Sequence, residues 1–70
     1  MDESNAETLL KECLELYKTL GRMDEVISKL EDEGEKIVYV KSLGDLIGSV
    51  TFEFIRPLTE KFPSLRAPFK

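Results

Sequence analysis

Seventy residues with fourteen acidic and ten basic side chains carry a net charge of −4, and a single core of this size rarely supplies more than about 3 to 5 kcal/mol of net stability. One cysteine, Cys13, excludes an intrachain disulfide, and the lack of histidine removes the usual base for a serine or cysteine nucleophile and the usual ligand of a metal cluster. The longest apolar stretch, around Leu46 to Phe52, is far shorter than the roughly 20 residues that span a bilayer.

The charge is unevenly spread. Residues 1 to 35 hold eleven acids and four bases, residues 36 to 55 two of each, and residues 56 to 70 one acid and four bases. The two ends attract, either within one chain or head to tail between copies. Asp2 and Glu3 stand where a signal peptide would be basic, so a soluble, cytoplasmic protein is expected, with no membrane insertion.

Taken in chain order, Ser4 followed by Glu7 is a capping-box pattern that starts a helix near residue 5. Ala6, Leu9, Leu10, Cys13, Leu14, Leu16, Tyr17 and Leu20 then fall within an arc of about 160°, with polar residues filling the rest. Gly21 suits the left-handed position that stops such a helix. Met23, Val26, Ile27 and Leu30 repeat the pattern over about three turns, so helices near 5–20 and 23–33 are expected to pair antiparallel. The segment LYKTLGRMDEVI resembles the inter-helix turn of a tetratricopeptide repeat, with Tyr17, Gly21 and the Asp24–Glu25 pair in matching places. The resemblance covers one turn, implies a helical hairpin there and carries no function.

The next stretch has two readings. As a helix over 37–56 it places Val40, Leu43, Ile47, Val50 and Phe54 on one apolar stripe. As a β-hairpin formed by 36–41 and 50–56 it draws on β-branched and aromatic residues, at the expense of a long, apolar loop containing Leu43, Leu46 and Ile47. The helix is preferred because it accounts for those three residues. Pro57 is then expected to end the element, leaving one turn near Thr59 to Phe62 and an irregular path fixed by Pro63 and Pro68.

The expected fold is therefore mainly α. A small three-helix bundle forms a domain over 1–56, and the Pro-containing segment 57–70 packs on that domain or on a partner. The alternative is α+β, with the helical hairpin packed on the β-hairpin.

Two clusters are candidate partner-binding sites. Glu31, Asp32, Glu33 and Glu35 sit at the expected C-terminus of a helix, where carboxylates oppose the macrodipole. They read either as a solvated turn, with Glu35 capping the next element, or as a dock for a basic protein; their spacing does not fit a calcium loop. In the tail, Arg56, Lys61, Arg66 and Lys70 interleave with Phe62, Leu65 and Phe69, a pattern expected to lie in a groove of its own body or of a partner. Base stacking on such residues is countered by a pI of about 4.8, which works against nucleic acid. Cys13 is expected to pack in the core, and Gly44 and Gly48 to be local packing or loop residues.

No catalytic, cofactor-binding or metal-binding residue is assigned. The expected function is a non-enzymatic protein-interaction module, a small acidic regulator, adaptor or inhibitor, whose partner is another protein or a second copy in a homodimer. Two alternatives remain: a structural subunit of a larger assembly, and a nucleic-acid-linked regulator acting through the basic tail or as an acidic DNA mimic.

Overall fold

In the computed structural model, which describes the backbone of residues 1–69 and the side chains as far as residue 66, helix α1 spans Glu3–Ser28. Its cap is Asp2, whose Oδ1 accepts the Asn5 N–H at 2.8 Å, so the helix begins ahead of the Ser4 capping box. It then runs unbroken through Gly21, in place of the two helices expected on either side of that residue. No glycine among the described residues has a positive φ, and a Cβ at Gly21 would meet nothing within 4 Å. The reason lies in the buried row. Ala6, Cys13, Leu20 and Ile27 are all buried and stand seven residues apart on both sides of Gly21. Continuing the helix keeps Ile27 in line with Leu20 against Leu43, which outweighs the roughly 1 kcal/mol that an interior glycine costs relative to Ala.

Helix α2 spans Glu33–Val50 after a connection of four residues, and packs antiparallel to α1. Its row of buried residues is Leu43 and Val50, again seven apart. A π turn over Thr51–Ile55 follows, marked by the Arg56 N–H reaching the Thr51 carbonyl, and α3 continues over Arg56–Lys61. The helical path thus passes through Pro57 instead of ending before it. Two features of the sequence require that wide turn. Val50 and the next buried leucine, Leu58, are eight residues apart, one more than the repeat allows, and a π turn absorbs one extra residue. A proline also clashes with the carbonyl four residues back, here that of Glu53, and the wider turn gives it room.

Pro63–Phe69 form a 3-10 helix that folds back on the start of α1. Among the described residues there is no strand, so the β-hairpin alternative falls away and the chain is mainly α. Among the described residues, no helix is long and apolar enough to cross a membrane.

Two apolar clusters hold the hairpin together. At the open end Ala6, Leu10 and Cys13 meet Val50, Ile55 and Leu58, with Leu9, Phe62 and Leu65 packed against them. Nearer the connection Leu20 and Ile27 meet Leu43. Tyr17 touches both clusters and donates its hydroxyl to Thr51 Oγ1 at 2.6 Å, while Thr51 donates to the Ile47 carbonyl at 3.0 Å. That relay clasps one flank of the hairpin.

Candidate interaction surface

The two clusters proposed from the sequence lie at opposite ends of a body 46 Å long. At the connection, Asp32 caps α2, accepting the Glu35 N–H at 2.9 Å. Glu33 and Glu35 occupy the first turn of α2, and Glu33 pairs with Lys36 at 3.6 Å. Because α1 ends at Ser28, these carboxylates sit at a helix N-terminus, where the macrodipole favours them, and not at a C-terminus as the sequence reading had it. The cap itself is Asp32 where Glu35 was expected. Glu31 is exposed in the connection.

At the other end, Arg56 stacks over the Phe52 ring at 5.5 Å and pairs with Glu60 at 3.3 Å. Lys61 lies over the Phe62 ring at 5.7 Å. Phe62 and Leu65 pack against the open-end core, Arg66 Nε donates to the Thr59 carbonyl at 3.2 Å, and the Ser64 hydroxyl donates to the Glu3 carboxylate. The Phe69 side chain and Lys70 lie outside the described residues. Every ion pair found among the described residues is a local i,i+3 or i,i+4 pair, so the acidic and basic halves meet through Ser64 and Glu3 without a salt bridge.

A third surface feature is one the sequence reading did not single out. On the flank opposite the Tyr17–Thr51 clasp, a groove of about 170 Å³ opens between the helices, lined by Leu9, Glu12, Cys13, Leu16, Val50 and Phe54. It belongs to an apolar face carried by both helices. From α1 come Leu9, Leu16 and Met23, seven residues apart; from α2 come Tyr39 and Leu46, seven apart, and then Phe54, eight further on across the π turn. Leu16, Met23, Tyr39, Leu46 and Phe54 are between 41% and 51% exposed. The second turn of α2 extends this apolar surface: Ile37, Val38, Tyr39 and Val40 are consecutive and each is at least half exposed, Ile37 at 67%. At 100° per residue Ile37 falls on the far side of α2 from Tyr39 and Leu46, while Val40 and Ile47 lie about 80° to 120° round from them. The signal was present in the width of the α1 arc. An apolar arc of about 160° exceeds what a single facing helix covers.

Chemically the surface offers contact area and little else. Burial pushes the Cys13 thiol pKa up, which keeps it protonated and weakly nucleophilic. Its neighbours in the groove are apolar apart from the exposed Glu12. No family model matches the chain, and neither a curated protein nor a solved structure matches it.

Proposed function

We propose that this chain is a non-enzymatic protein-interaction module, a small acidic regulator, adaptor or inhibitor working in the cytoplasm, whose contact element is α2. The observation that carries this is the run Ile37–Val38–Tyr39–Val40, apolar on every side of the helix and at least half exposed throughout. A helix that is apolar all round is normally a covered one, and large exposed apolar patches mark interaction sites. The acidic first half steers a basic partner toward the body, while the near-neutral α2 makes the contact.

Affinity capture from the native host tests this with two baits, the native chain and an Ile37→Asp, Val40→Asp variant. Both positions are exposed, so the variant keeps its helicity. A protein retained by the native chain and lost by the variant is the expected result. If both baits retain the same proteins and the chain alone sizes as a monomer, the proposal fails.

A second reading, a subunit folded only within a larger assembly, draws on the thin core. Among the described residues nine apolar side chains are buried, and Ala6 alone is fully so. A cooperative melt of the isolated chain at micromolar dilution would rule that reading out.

A further inference from the structure

Resting on the interaction reading, we infer that the two-helix face of Leu16, Met23, Tyr39, Leu46 and Phe54 is covered by a second copy of this chain, which makes a four-helix bundle about a two-fold axis. Three observations point to that occupant. The first is spacing. The face repeats every seven residues on α1 and, with the π turn taking up the extra residue, keeps one phase along α2 through Phe54. Knobs at that interval pack into holes offered by helices of the same interval, and the hairpin's own surface has them. A two-fold contact also requires a face that complements itself, which an apolar strip shared by two antiparallel helices does.

The second is area. A compact chain of this mass exposes about 4,450 Å², whereas this one exposes 5256 Å². The surplus of about 800 Å² is what each partner gives up in an interface of standard size. The radius of gyration agrees in direction: 14.6 Å against about 11 Å for a compact chain of seventy residues. Pairing side by side along the long axis would remove that excess.

The third is charge. Two copies at −4 each repel at long range, so any self-contact must avoid carboxylates. This face does. Its five residues are uncharged, and Glu12 is the single charged side chain lining the groove. The α1 acids Glu7 and Glu15 lie instead beside Lys11 and Lys18 in local pairs. The opposite flank is already clasped by Tyr17 and Thr51, and pairing through the groove leaves Ile37 and Val40 free for a different partner.

Sedimentation equilibrium from about 1 μM to about 300 μM is the test, a range wide enough to catch a micromolar dimer. The expected result is a concentration-dependent rise from 8.0 kDa to twice that mass. Leu16→Glu and Leu46→Glu, both at half-exposed positions, should each weaken self-association at least about tenfold with helicity unchanged by circular dichroism. Should either variant lose helicity, isotope-filtered NOEs on a mixed labelled and unlabelled native sample decide: contacts from Leu16 or Leu46 to Phe54 of another molecule are expected. A mass of 8.0 kDa across the whole range overturns the inference, as does a dimer indifferent to both folded variants. A monomer that still captures a host protein through Ile37 and Val40 overturns the second copy alone. A monomer that captures nothing overturns both readings.

Discussion

Cys13 shows how a single buried atom ties stability to pH. Its side chain lies between Ala6, Leu10 and Val50 in the open-end core, and desolvation raises the pKa of its thiol. Because the folded state holds that proton more tightly than the unfolded chain, the linked stability is fully present below the ordinary cysteine pKa, about 8.5. It is lost as pH rises through the folded value. Native chain and Cys13→Ala are compared by urea unfolding at about pH 7 and about pH 10. The native midpoint should fall more between the two than the variant's, because only the native chain has the thiol proton to lose. Equal falls would show that Cys13 is not protected by burial. The sequence reading already placed this thiol in the core, since its neighbours on the helical wheel are apolar. The Tyr17–Thr51 contact, at a separation of thirty-four residues, had no such local signature: it depends on the register in which α2 returns along α1.

At the level of elements, Gly21 and Pro57 mark where local rules and packing disagree, and packing prevails at both. Glycine after a leucine-rich run reads as a helix stop, yet the buried row Ala6, Cys13, Leu20 and Ile27 continues straight across it. Gly21→Ala adds a Cβ that meets nothing within 4 Å and should stabilise the chain by about 0.5 to 1 kcal/mol. A turn with positive φ at that position would instead be destabilised by alanine, so the sign of the change in urea midpoint separates the continuous helix from a two-helix hairpin broken there.

Pro57 makes a coupled prediction. Deleting Phe52, exposed within the π turn, shortens the Val50 to Leu58 interval to seven and makes the turn unnecessary for phase. The proline would then face a regular helix, a penalty of about 3 kcal/mol. The deletion alone should therefore lower stability by roughly that amount, and Pro57→Ala in the same chain should recover most of it. Additive losses in thermal or urea melts would show that the π turn is set by something other than these two demands. The seven-to-eight change in spacing was legible in the sequence. What was not legible was which of two apolar residues, Val50 or Phe54, turns inward, because that depends on where the extra residue is absorbed.

On the scale of the whole molecule, the mainly α class followed from apolar periodicity, and the choice of helix over β-hairpin for 36–56 followed from Leu43, Leu46 and Ile47, which a loop would have stranded. The division of labour between the ends was harder to see, since composition alone does not say whether a basic, aromatic tail lies on its own body. Its packing makes a prediction about how stability is distributed. The two apolar clusters share only Tyr17, so the open end and the connection end can loosen separately. Phe62 is partly buried against the open-end cluster alone, where its aromatic surface contributes about 1 to 2 kcal/mol. In Phe62→Ala, native-state hydrogen exchange should quicken at the amides of Leu10 and Cys13 while those of Leu20, Ile27 and Leu43 keep their protection. Uniform quickening would mean that the hairpin opens as one unit. No change at either end would mean that the tail's packing adds nothing, and its aromatic residues would then be as available to a partner as the exposed start of α2.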